Sequence, residues 1–179
     1  MPGPRVKPIF SVLFSEGESI SRCREILEEA FGPIEAISEP FLFLFSDYYR
    51  KEMGPDIQKV LFAVESLIES DGIVPLKKLS MQIEEKNRHL ETGGRRFNID
   101  PGFLSLNQFV LTSRKEAAHR IYLASEIFAE VALIYSRGKY RPLDWTYPDF
   151  RLDRVSSFLR RVRGRYLRQL KSPPGSEVL

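Results

Sequence analysis

Arg96, Asn98 and Asp100 alternate with Phe97 and Ile99. Side chains of an extended chain alternate between faces, so a cation, an amide and a carboxylate would share one side and two apolar groups the other. Such a row can orient a polar ligand. It can equally be a solvated strand face ended by the turn chemistry of Asp100-Pro101-Gly102. A second cluster lies downstream, where Glu130 is the one carboxylate in the otherwise apolar set Phe128, Ala132 and Ile134. A carboxylate there is costly unless it is paired, hydrogen-bonded or protonated. Imidazole side chains in general serve as acid or base near neutral pH, which makes His119 a candidate catalytic group, with Glu130 and Asp100 as the others. Arg96, Lys115 and Arg120 can form charge-assisted hydrogen bonds to a phosphate or carboxylate. Asp47, Asp100 and Glu130 can orient a ligand or offer oxygen ligands to Mg²⁺, a hard cation.

A hairpin must bring these groups together, and its loop length decides how. A three-residue loop, Ala124-Ser125-Glu126, sets Arg120 opposite Glu130. A two-residue loop, Ser125-Glu126, turns Arg120 to the other face and leaves His119 diagonal to Glu130. Either loop puts a basic residue near Glu130. The bland alternative to a site is an ion pair that satisfies the sheet.

The remaining elements follow from periodicity. Residues 7–14 read as a first strand, and Ser19 opens a helix with apolar positions Ile20, Cys23, Ile26, Leu27, Ala30 and Phe31, stopped by Gly32-Pro33. Residues 34–37 read as a short strand. The run FLFLF at 41–45 has too little polarity for an exposed edge and is expected to be covered on both faces. Residues 46–54 read as one short helix capped by Ser46 or Asp47, with Tyr48, Tyr49 and Glu52 rimming the end of that strand. A strand is centred on 60–64, and Asp71 is expected to cap a helix with Ile73, Leu76, Leu79, Ile83 and Leu90 in its stripe. In that helix Lys77, Lys78, Glu84, Glu85 and Lys86 read as mainly solvated. Residues 127–135 are apolar on both faces, the mark of a central strand. Leu152, Val155, Phe158, Leu159, Val162, Tyr166 and Leu170 share one face of a last, amphipathic helix.

The fold class is therefore α+β: a mainly antiparallel mixed sheet with a βαβ-like amino-terminal part, two or three packed helices and a carboxyl-terminal amphipathic helix. Element order alone admits a ferredoxin-like start. The length of 179 residues suits one domain over 1–171, followed by a disordered Pro- and Gly-containing tail at 172–179. One cysteine, Cys23, excludes an internal disulfide and a cysteine-pair zinc site, in keeping with a reducing cytoplasm. No apolar run reaches the length of a membrane span, and no membrane association is expected. The net charge of +3 conceals an asymmetry, because residues 151–171 hold eight Lys or Arg against one acid. That helix is either docked, with its arginines solvated or paired, or a surface for RNA or an acidic protein.

The blocks SEPFLFLFSDYYRKEMG, RRFNIDPG, HRIYL, AEVAL and WTYPDFR stand in this order. With them the chain resembles a bacterial and archaeal domain-of-unknown-function family, number 4416, from about Pro8 to Tyr166. The resemblance implies a unit of its own and no particular activity. It directs attention to Asp47, Tyr48, Tyr49, Glu52, Arg96, Asn98, Asp100, Lys115, His119, Arg120, Glu130, Tyr147 and Asp149. The chain departs from the family pattern at Ser80-Met81, Phe103, Ser113-Arg114 and Ser125-Glu126. No phosphate loop, nucleophile elbow or metalloprotease helix is present to name a reaction. The expectation is a pocket for a phosphorylated or other anionic small ligand, with Mg²⁺ as an optional cofactor. The alternative is a non-catalytic RNA- or protein-binding module.

Overall fold

In the first strand, β1 (Arg5–Phe14), every second side chain is apolar and enters the same layer: Phe10, Val12 and Phe14 meet Cys23, Ile26 and Leu27 of α1 (Ile20–Phe31). Burying each such side chain contributes about 1.5–3 kcal/mol. Burial also pushes the Cys23 thiol up to about 12, so it serves as a small apolar group. The Ser19 hydroxyl caps α1 by accepting the Arg22 N–H at 3.1 Å, and Gly32 ends it at φ 91°. The structure is a computed structural model that describes residues 3–171. The tail expected at 172–179 lies outside the described residues.

The chain continues through β2 (Ile34–Ile37), β3 (Phe41–Leu42), α2 (Arg50–Met53), β4 (Gln58–Val64) and β5 (Ile68–Glu69). Next come α3 (Ile73–Lys86), β6 (Phe97–Leu104), β7 (Gln108–Ser113), β8 (Ile121–Ala124), β9 (Ile127–Ser136), β10 (Lys139–Pro142) and α4 (Asp153–Lys171). The strand order is β10-β9-β7-β6-β1-β4-β2, with β3 beside β4, β5 beside β1 and β8 beside β9. Each pairing among the described strands is antiparallel. The expected mixed character thus resolves into one antiparallel sheet. The βαβ-like start is split: β4 lies between β1 and β2, and β1 lies between β4 and β6. This is the ferredoxin-like order that the element sequence admits, extended beyond β6 by β7, β9 and β10.

Alternation gives the sheet two unlike faces. Phe10, Val12, Val60, Phe62, Phe97 and Ile99 belong to the layer shared with α1 and α3. Ile9, Leu61, Ala63, Leu104, Phe109 and Leu133 belong to the opposite layer, where α4 lays down Val155, Phe158, Leu159 and Val162. The amphipathic period of α4 reads correctly, and its arginines have work inside the fold. Arg163 donates to the Leu106 carbonyl at 2.9 Å and Arg165 to that of Glu35, while Arg151, just ahead of the helix, donates to those of Thr146, Leu143 and Asp144. No helix among the described residues is long and apolar enough to cross a membrane.

Several local expectations change. FLFLF is an edge segment: Phe41 and Phe43 are buried, but Leu42 and Leu44 are 46% and 71% exposed. Only two of its residues pair, because β3 lies off the main strand path beside β4. Regular helix in the next segment is confined to α2. Ser46 accepts the Tyr48 N–H in a local turn, while Asp47 salt-bridges Arg50 at 3.3 Å. A 3-10 turn, Ser70–Gly72, runs straight into α3, so Asp71 lies within that turn and does not cap the helix. Leu79 is exposed, since α3 turns Lys77, Ser80 and Glu84 inward instead, and Leu90 is exposed because the helix ends at Lys86, before it. β6 passes through Pro101-Gly102 without turning. β9 is flanked by β7 on one side and by β8 and β10 on the other, as a central strand should be, although its faces are only partly covered.

Candidate functional site

The site begins where β6 and β7 part. Their ladder holds only from Gly102 to Leu104, so residues 97–101 lack a strand neighbour on that side. Pro101, which has no N–H for a ladder, stands at the fork, and its carbonyl accepts the Thr112 hydroxyl at 2.6 Å. Gly102 follows because the strands close tightly there: a Cβ would come within 2.2 Å of the Val110 carbonyl oxygen. The sequence Asp-Pro-Gly therefore opens a gap in the sheet where turn chemistry suggested an end.

Helix α3 supplies what the missing strand would. Glu84 accepts the Ile99 N–H at 2.6 Å, and Lys77 donates to the Ile99 carbonyl at 3.2 Å and to Asp100 at 2.6 Å. The second Asp100 oxygen accepts from Asn98 at 2.7 Å, and Asn98 accepts from Arg95 at 2.8 Å. Arg95 closes the chain with a two-pronged pair to Glu52, at 2.9 and 2.8 Å. The register puts Asn98 and Lys59 either side of Leu13, and Asp100 beside Ser11, all on the face that α4 covers farther along. The Lys59 ammonium is paired with buried Asp149 and lies 3.9 Å from the Phe150 ring centre.

The result is a cleft of about 1020 Å³. Its walls include the Lys59, Ser11, Asn98 and Asp100 row, the inward side of α3, Phe43 to Glu52, the end of β7, and Tyr147 to Phe150. At the far wall Glu130 accepts from Arg120 Nε and contacts His119 Nε2, each at 2.8 Å. Arg120 also donates to Ser113, to the Lys115 carbonyl and to the Tyr147 hydroxyl at 3.0, 2.7 and 2.9 Å. The hairpin that permits this combines both expected alternatives. Ser125 and Glu126 form the two-residue turn at φ 51° and 58°, and a bulge after Tyr122 restores Arg120 to the position opposite Glu130. At the mouth the Lys115 ammonium sits 3.5 Å from the centre of the Tyr48 ring.

Of the sequence candidates, Asn98, Asp100, Lys115, Arg120, Glu130, Tyr48, Tyr49 and Glu52 all line this one cleft. Three do not. Asp47 projects to solvent beside Arg50. Arg96 leaves the row to pair with Glu18 at 2.5 Å, because its neighbour Arg95 takes the inward position. His119 stands behind Glu130, stacked on Trp145 at 5.5 Å, so it orients the carboxylate from outside. Among the described residues no three His, Cys, Asp or Glu side chains gather closely enough to hold a metal ion. Asp100 and Glu130, offered as Mg²⁺ ligands, are each neutralised by a cation instead.

Sequence reasoning missed Lys59, Lys77, Glu84 and Arg95. A signal existed for three of them. Lys59 shares its strand face with Leu61 and Ala63, and Lys77, Ser80 and Glu84 repeat at helical spacing beside buried Ile73 and Ile83. Protonation differs among the lining acids. Burial disfavours charge on Asp100, but the Lys77 ammonium and the Lys77 and Asn98 hydrogen bonds outweigh it and lower its pKa. Glu52 is lowered by its hydrogen bonds to Arg95. Glu84 is raised to about 7 by burial, which Lys77 and the Ile99 N–H only partly offset. Arg120 is raised, since Glu130 and Tyr147 outweigh its burial. The cleft can thus hold a polar molecule between fixed charges, with one carboxyl poised near neutrality.

No curated protein and no solved structure matches the chain. A family model described as "Domain of unknown function (DUF4416)" does match, over residues 4–166, and so takes in every element from β1 through most of α4. The chain belongs to that family.

Proposed function

We propose that the cleft binds a phosphorylated or otherwise anionic small molecule. The observation that carries this reading is a charge imbalance at a built polar cavity. Eight Lys or Arg line the cleft against six Asp or Glu, and Lys78 and Lys115 have no carboxylate partner among the described residues. A volume of about 1020 Å³ accommodates a ligand of ordinary metabolite size. Tyr48 and Tyr147 are both about half exposed and add flat apolar surface to the walls. Ser11, Asn98 and Ser113 supply neutral polar contacts. Each charge-assisted hydrogen bond from a free ammonium would contribute about 1.5–3 kcal/mol.

Thermal unfolding in a panel of sugar phosphates, nucleotides, polyphosphates and their uncharged parents tests the reading. A ligand at a hundredfold excess over its Kd stabilises by about 2.7 kcal/mol, a rise of roughly 5–10 °C for a chain of this size. The rise is expected for phosphorylated compounds only, and the double variant K78A/K115A is expected to lose it. Equal rises with uncharged parents, or rises that survive the double variant, would contradict the reading.

A further inference from the structure

We propose that Glu84 enters the occupied cleft as a neutral acid, donating its carboxyl O–H to an anionic oxygen of the ligand, so that binding takes up a proton. This rests on the reading of the cleft as an anion site and adds the group that selects for the anion. The placement of Glu84 differs from that of every other lining acid. Each of the others has a Lys or Arg at 2.8 Å or closer, whereas the nearest cation to Glu84 is Arg95 at 3.8 Å. Three of the five Arg95 N–H groups go to Glu52 and Asn98, and at 3.8 Å the guanidinium makes no hydrogen bond to Glu84. One Glu84 oxygen is held by the Ile99 N–H, an acceptor role that the carbonyl oxygen of a neutral carboxyl also fills, more weakly than a carboxylate does. The other oxygen is left to carry a proton at the cleft wall.

The groups facing Glu84 come from three elements. Its own helix presents Lys77, β6 presents Asp100 with Arg95 from the segment leading into it, and α2 presents Glu52 behind Arg95. Lys77 and Arg95 are already committed to Asp100 and Glu52, so an anion held by Lys78 and Lys115 brings negative charge toward Glu84 that neither of its own neighbouring cations is free to absorb. Its approach disfavours ionised Glu84 and raises the pKa of that group. Affinity is therefore greatest below the range in which Glu84 titrates in the empty protein, and falls as pH rises through it.

The test uses the whole chain and inorganic sulfate, which does not itself titrate near neutrality. The carboxyl carbon of Glu84, assigned through bonds from its own backbone, is followed by ¹³C NMR across neutral pH. Sulfate is compared with chloride at equal ionic strength, and the Asn98 and Lys115 amide signals report occupancy. The expected result is a midpoint about one pH unit higher in sulfate. The variant E84Q keeps an acceptor for Ile99 and a donor for the ligand, and is expected to bind sulfate with an affinity that no longer falls over that range. Sulfate binding with an unmoved or lowered midpoint would overturn the proton uptake and leave the anion site standing. Sulfate that moves no cleft signal would overturn both.

Discussion

One face of the sheet carries two regions of opposite character, built from the same strands. Toward one end, Ile9, Leu61, Ala63, Leu104 and Phe109 are sealed beneath α4. Toward the other, Lys59, Ser11, Asn98 and Asp100 continue the same alternation into an open cleft. The first region is apolar, closed and requires no partner beyond the chain. The second keeps buried charges in pairs, an arrangement that stabilises little by itself, because desolvation offsets most of the Coulomb attraction. The difference separates what holds the fold from what the fold holds ready.

The largest expected effect falls in the sealed region. Phe158→Ala removes a buried ring beneath α4 and is expected to cost about 3–5 kcal/mol in urea unfolding, without altering the anion response of any surviving native protein. In the open region, Lys77→Ala strands Asp100 and is expected to cost about 3 kcal/mol, whereas the paired replacement K77M/D100L should recover most of that stability while abolishing ligand-induced stabilisation. A recovery of binding along with stability would show that the pair is only scaffolding.

The pH dependence separates the acids by sign. Asp100 and Glu52 have lowered pKa values, so the stability they contribute is present above the ordinary carboxylate range and is lost as pH falls through their folded values. Glu84 has the opposite sign. Its cost accumulates as pH rises from the ordinary value of 4.5 to about 7 and is constant above. Denaturant titrations over that interval should find E84Q gaining on the natural protein as pH rises, with no further gain beyond it. The smallest stability effect is expected from K115A, within about 0.5 kcal/mol, since Lys115 is exposed, its ammonium sits on the Tyr48 ring, and its hydrogen bonds with Ser113 and Arg120 are made by backbone atoms that alanine keeps.

What could be read from sequence follows the same division. Helices α1 and α4 were legible because their apolar repeats and the Ser19 cap are local features. That a basic residue meets Glu130 was legible from strand alternation, since one hairpin register offered Arg120 and the other His119; that both meet it was not, because it takes the bulge after Tyr122. The fork at Pro101 was not, because Asp-Pro-Gly is ordinary turn chemistry and only the approach of Val110 to Gly102 shows its other use. Lys77 and Glu84 looked like solvated helix positions. They turn inward because β6 lacks a strand partner at Ile99, a fact decided by residues distant in the chain.

The most direct test is a map of backbone amide shifts on adding a phosphorylated ligand that raises the unfolding temperature. Movement is expected at Asn98, Asp100, Ser113 and Lys115, with α4 silent. Movement along Arg160, Arg161, Arg163 and Arg165, with the cleft silent, would contradict the reading of the cleft as an anion site.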